Sequence, residues 1–300
     1  VRALSAPPIM TALVSEATGE RVVFDNGVFI LSRFADGAAA AEHASYKGVS
    51  QVGEYLTDST IGVREIVIEG AITARGGEDD EAAETLAAAR RLLSRVTNPL
   101  HRFRVERTRG GKTLCLSCSA AGGVSIERGA EWGRRAQKFL LRALCHSPLW
   151  YSPAESVAMY RTYLPALYFP AVLPSVMGTR ANTRTVHVNN AGDIAAGAVI
   201  TVRPAAPLPY LRVECATTRE YMLVNTPLPA GSTLTLDTRY GRKSAVLTTG
   251  GATASVMEHI SPESTFFQLQ PGDNIISYDG GSGDDNTEIE VAFSESYLTD

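Results

Sequence analysis

No stretch of this 300-residue chain approaches the roughly 20 consecutive apolar residues of a membrane-spanning helix. Membrane insertion is therefore not expected. The opening VRALSAPPIMTALVSEATGE lacks a basic start followed by a long apolar run, so it does not read as a secretory signal. Cysteine is scarce, with only Cys115, Cys118, Cys145 and Cys215. Cys115 and Cys118 form a CLSC stretch, but no second pair and no nearby histidine pair completes a zinc set. In a strand, an offset of three also points the two thiols to opposite faces. Small buried hydrophobes in a reducing compartment are the expected role.

Catalytic signatures are missing as well. There is no GxSxG, HExxH, P-loop or dinucleotide-binding glycine pattern. The histidines, His43, His101, His146, His187 and His259, are scattered and never stand at ligand spacing. His146 follows Cys145 directly, which places the two side chains on opposite faces of a strand and spoils a Cys-His dyad. A sandwich-fold hydrolase would need two convergent carboxylates, which a sequence cannot display. The expectation is a protein that is not an enzyme and needs no cofactor or metal. The acidic DGGSGDDN at 279–286 does not match a calcium loop in spacing, and reads as a solvated turn.

Charge of one sign is also lacking. The net charge is −4, with 19 basic and 17 acidic side chains in residues 1–150 against 9 and 15 in residues 151–300. Neither half is basic enough for avid nucleic-acid binding. Arg90, Arg91, Arg95, Arg102, Arg104, Arg107, Arg109 and Lys112 do cluster in sequence. Nearby acidic residues favour a solvated face or subunit salt bridges over phosphate binding.

What is present is strand signal. Runs such as VREIVIEG (63–70), HRFRVER (101–107), RTVHVN (184–189), AVITVR (198–203), STLTLDT (232–238) and TEIEVAF (287–293) are short and alternate with period two. Gly, Pro, Asn and Asp bound them, which predicts antiparallel sandwiches. One helix is expected near 78–97, where Leu86, Ala89, Leu93 and Val96 recur at three- and four-residue steps. Its acidic start and basic end suit the helix dipole, and Asn98-Pro99 stops it. Residues 147–183 hold five prolines and no clean alternation. Two domains are expected, 1–160 and 161–300. Trp150, Tyr151, Tyr160, Tyr163, Tyr168 and Phe169 gather around the junction, where core and interdomain packing competes with a sugar-binding platform or a protein interface.

FFQLQPGDNIISY (266–278) reads as a hairpin closed by a turn. Pro271 suits the second turn position and Gly272 the third, where positive φ is needed. Asp273 and Asn274 can bond the turn backbone. Phe267 and Leu269 are expected to face the core opposite Ile276 and Tyr278, or Ile275, with the register open.

Taken in order, these pieces resemble one family. A β-rich domain with one helix runs into Cys145-His146-Ser147-Pro148-Leu149-Trp150-Tyr151. VHVNNAGDIAAGAVITV follows, with an Asn-x-Gly-Asp turn at Asn190, Gly192 and Asp193. LVNTPLPAGSTLTLDTRYGRKSAV and the turn at Pro271, Gly272 and Asp273 complete the order. The chain resembles the distal tail proteins of long-tailed phages with flexible tails.

The resemblance implies a mainly β fold: an N-terminal ring-forming domain with one α-helix, then a C-terminal galectin-like β-sandwich. It implies a structural virion protein at the tail tip, assembled in the cytoplasm of the host bacterium. Six copies would form a hub that joins the tail tube to the baseplate or receptor-binding apparatus. The hub would continue the channel through which the genome passes without specific binding. Implied partners are a homo-hexamer, the tail tube protein, and tail-associated hub, fibre or receptor-binding proteins. Arg102, Arg104 and Arg107 are candidates for a ring-contact or lumen face. The alternative is a carbohydrate-binding module on a scaffold, contributing to attachment at the host surface.

Overall fold

The computed structural model describes residues 9–74, 79–127, 135–160, 163–165, 178–180, 185–281 and 287–300. The chain divides into two compact units, residues 1–153 with 298–300, and residues 154–297.

The first unit holds β1 (Met10–Ser15), β2 (Arg21–Val23), β3 (Phe29–Ala35), β4 (Ala41–Tyr46), β5 (Tyr55–Ile61), β6 (Arg64–Thr73), α1 (Asp79–Val96), β7 (Arg102–Arg109), β8 (Lys112–Ala120), β9 (Ser125–Glu127), β10 (Ala136–Cys145) and β11 (Trp150–Tyr151). Most of its strands join one antiparallel sheet in the order β2-β1-β7-β8-β10-β6-β3, with β9 beside β10 and β11 beside β8. The period-two pattern explains the core. Phe103, Val105, Leu116, Ile66, Ile68, Leu141 and Ala143 are all fully buried. Burial of each large aliphatic or aromatic side chain contributes about 1.5–3 kcal/mol. Helix α1 lies against β1, β2 and β6. It buries Ala82, Leu86, Ala89, Leu93 and Val96, the stripe that its spacing predicts. β1 is buried from Thr11 through Ser15, so both of its faces are covered.

Gly70 marks a close approach in this sheet. A Cβ there would meet the Ile30 carbonyl oxygen at 2.3 Å and the Phe139 ring at 2.6 Å. β4 and β5 stand apart as a two-stranded hairpin with every residue exposed.

The second unit holds β12 (Ser156–Tyr160), β13 (Tyr163–Pro165), β14 (Gly178–Arg180), β15 (Thr185–Asn190), β16 (Ala198–Pro204), β17 (Leu211–Cys215), β18 (Glu220–Val224), β19 (Thr233–Asp237), β20 (Ser244–Thr249), β21 (Ala252–Ser255), β22 (Gly272–Asp279), β23 (Thr287–Phe293) and β24 (Ser296–Tyr297). Two antiparallel sheets, β12-β23-β16-β19-β20-β21 and β15-β22-β17-β18, enclose one core. Ile200, Val202, Leu234, Leu236 and Val291 come from the first sheet. Val188, Val213, Cys215, Met222 and Ile276 come from the second. β13 and β14 pair with each other. The architecture is mainly β, with one α-helix among the described residues.

The hairpin expected at 266–278 is absent. Phe266–Gln270 forms no strand, and only Leu269 makes a bridge, to Ala196. β22 pairs with β15 on one side and β17 on the other, so no edge is left for a hairpin partner. The Phe-Gln-Leu-Gln alternation has another cause. Phe267 and Leu269 are buried, while the Gln268 amide donates to the Thr238 carbonyl at 2.7 Å.

Candidate interaction surfaces

β7 presents its arginines on two faces. Arg102, Arg104 and Glu106 share the face opposite buried Phe103 and Val105. Arg104 Nε donates to Glu106 Oε1 at 2.7 Å, and Arg21 Nη2 lies 2.9 Å from Glu106 Oε2. One carboxylate thus answers two guanidinium groups. The hydrogen bond that Arg104 donates to Glu106 raises its pKa further, against the opposing effect of burial. Beside this cluster, Ser117, directly across from Arg104, donates to Glu16 Oε1 at 2.7 Å. Arg102 stands exposed at the start of the strand.

Arg107 belongs elsewhere. An odd offset turns it to the opposite face, where its guanidinium lies 4.5 Å from the Phe34 ring centroid. Its Nη1 meets Asp300 Oδ2 at 2.5 Å. The structure therefore brings Arg102 and Arg104 together and separates Arg107 from them. The parity of the three positions already carried that signal.

The β4–β5 hairpin was missed in the sequence because AEHASY and YLTDSTI show no apolar alternation. Its tip carries Val49 and Val52, which are 101% and 100% exposed, flanked by exposed Tyr46, Tyr55 and Leu56. An isolated two-stranded hairpin has little stability of its own in water.

In the second unit the predicted turn residues hold backbone. Asn190 is buried, and its Nδ2 donates to the carbonyls of Ile194 and Leu269 at 3.1 and 3.0 Å. Its Oδ1 accepts from the Gly192 amide at 3.0 Å. A Cβ at Gly192 would meet the Ser296 carbonyl oxygen at 2.6 Å, which accounts for glycine there. The Asp193 amide donates to that same oxygen at 2.9 Å. Gly272 adopts φ +89°, the left-handed region expected for it. The bend at Pro271 is closed by Asn274. Asn274 Oδ1 accepts from the Gln270 amide at 2.9 Å, and its Nδ2 donates to the Gln270 and Gly272 carbonyls at 2.7 and 3.0 Å. Asp273 instead accepts from Asn189 Nδ2 at 2.6 Å, across to β15.

Other sequence features also find partners. Trp150 is fully buried, which removes it from any sugar platform. Burial also pushes the Tyr151 hydroxyl up to about 12. Tyr168 and Phe169 lie outside the described residues, as do Asp284 and Asp285 of the acidic turn. Asp279 of that turn accepts from the Tyr210 hydroxyl at 3.0 Å. Cys115 faces away from Cys118 and stands beside Tyr151 of β11 in the ladder, and burial raises its thiol to about 11. Among the described residues, no group of three His, Cys, Asp or Glu side chains is placed to hold a metal ion.

Residues 191–297 match the family described as the siphovirus-type tail component, C-terminal domain. The matched stretch lies within the second unit. The match opens within the Asn190–Asp193 turn and runs through β24, so it spans most of the sandwich.

The fold of the whole chain is similar to the crystal structure of the Dit protein of phage SPP1, described as a paradigm of the hub adsorption apparatus in phages infecting Gram-positive bacteria. Identity is 14% and the TM-score 0.61, over 95% of this chain and 98% of that one. Chains in the phage P2 baseplate, in its activated conformation with calcium or with strontium, are similar at 9% identity and TM-score 0.50, over 95% of this chain and 98% of those. No curated protein matches by sequence.

Proposed function

We propose that this chain is the distal tail protein of a flexible-tailed phage. It serves as a structural hub at the tail tip, without catalytic activity. Six copies form a ring that continues the tail tube, passes the genome through its centre and holds baseplate or receptor-binding proteins. The observation that carries this reading is the match of residues 191–297 to the tail component family, in one chain with a helix-bearing β unit. End-to-end similarity in fold to the SPP1 Dit protein supports it.

Residue-level features suit the role. A ring requires each subunit to present two different surfaces that close on one another. The β4–β5 hairpin tip offers an apolar projection. The Arg102–Arg104 face offers charge on a rigid strand, as a ring contact or as part of the lumen. The turns at Asn190–Asp193 and Pro271–Asp273 serve the sandwich itself, since their polar groups bond backbone or neighbouring side chains.

Light scattering on the purified chain tests the proposal. A particle of six times the 32.0 kDa subunit mass is expected, alone or on addition of the tail tube protein. A chain that stays monomeric under both conditions would contradict it.

A further inference from the structure

The sheet of the first unit has a narrow seam. β7 and β8 pair at eight positions and β10 and β6 at ten. β8 and β10 pair at just two positions, Ala120–Ala143 and Ser119–Leu144, continued by one backbone hydrogen bond from the Ala121 amide to the Arg142 carbonyl at 2.9 Å. This two-step ladder joins β2-β1-β7-β8 to β10-β6-β3. One step further along the same register, Cys118 stands opposite Cys145.

Both cysteines point to the buried face, Cys118 in line with Leu116 and Cys145 with Leu141 and Ala143. They are 2% and 0% exposed, and their sulfurs touch at 2.7 Å. Directly opposed residues of an antiparallel ladder have Cα atoms about 4.5–5.5 Å apart. That range falls within the roughly 4.4–6.8 Å a disulfide spans. The other two cysteines are not competitors. Cys115 faces the opposite side of β8, and Cys215 lies in the core of the second unit.

We propose that Cys118 and Cys145 are a redox-sensitive pair, free thiols in a reducing compartment and a cross-strand disulfide in an oxidising one. The oxidant class is a small disulfide, RS–SR. The thiolate of one cysteine attacks it, forms a mixed disulfide and releases one RS⁻. The second thiolate then displaces the other RS⁻ and closes the Cys118–Cys145 bond. The two cysteine protons end on two RSH, so the protein dithiol is oxidised and the small disulfide reduced. Burial, reinforced by contact with Cys145, pushes the Cys118 thiol far above its ordinary range. Attack therefore requires brief opening of the seam, which its short ladder permits. Once formed, the bond links residues 27 positions apart and restricts the unfolded chain.

The test incubates the full chain with oxidised glutathione or with dithiothreitol. Each sample is then denatured in N-ethylmaleimide, and its mass and proteolytic peptides are measured. The oxidised sample should take two maleimides where the reduced one takes four, with one linked peptide pair joining Cys118 to Cys145. Its melting temperature should rise by roughly 5 °C or more. Oxidation should be faster in mild urea. A C115A/C215A chain should still form the link, which keeps the result independent of variants in the seam. Four maleimides after oxidation in mild urea would overturn the proposal. So would a link through Cys115 or Cys215, or an unchanged melting temperature in the linked chain.

Discussion

Asn274 is fully buried and binds the loop before β22 through three hydrogen bonds to Gln270 and Gly272. Leaving such buried backbone groups unpaired costs about 1–3 kcal/mol. Asn274→Ala should lower stability by that amount in denaturant unfolding. Gly272→Val should cost about 1–2 kcal/mol for a different reason. A Cβ there meets nothing, so φ +89° alone carries the penalty. An unchanged midpoint for Gly272→Val would contradict the conformational argument. Asp237 supplies a pH dependence. Burial opposes its ionisation, but hydrogen bonds from the Arg239 side chain and backbone outweigh that and hold its carboxyl below the ordinary aspartate range. A carboxyl depressed on folding stabilises above its unfolded pKa, and this contribution disappears as pH falls through the folded value. The melting temperature of Asp237→Asn should therefore fall less steeply than that of the parent below about pH 4. Parallel curves would exclude Asp237 as a source of acid sensitivity.

At the scale of elements, locally encoded features were legible. Leu86, Ala89, Leu93 and Val96 marked the helix, and alternation marked β6, β7, β16, β19 and β23, because burial on one face imposes those periods. Pairing across the chain was not legible. Nothing local in Phe266–Gln270 separates a strand from a segment with two buried side chains and one amide bonded to Thr238. The two-step contact of β8 with β10 likewise depends on residues distant in sequence. The β4–β5 hairpin escaped because its strands face solvent on both sides and so carry no hydrophobic alternation.

That exposure has a consequence for assembly. Val49→Asp with Val52→Asp removes no buried contact, so the melting temperature of the isolated chain should stay within a degree or so. If the tip docks on a neighbouring subunit, the same change should weaken oligomerisation at least about tenfold, since a buried charge is costly. Equal assembly by the double variant would remove the hairpin tip from the interface. For the strand face, reversal at Arg102 and Arg104 should impair ring formation or the passage of DNA, measured by light scattering and infectivity. Arg104→Glu also places a carboxylate beside Glu106, so Arg102→Glu alone is the cleaner probe of the surface. Normal assembly and infectivity in both variants would exclude this face.

For the molecule as a whole, the sandwich unit and the helix-bearing unit each have their own core. Polar groups at the most distinctive turns of the sandwich are engaged within the protein, so these turns serve as supports. The surfaces proposed for partners are instead the β4–β5 tip and the outer face of β7. The most direct test of a hub is electron microscopy of the purified chain, alone and with the tail tube protein. Class averages should show a six-fold ring with an open centre wide enough for duplex DNA. Monomers under both conditions, or a ring closed at its centre, would contradict the account.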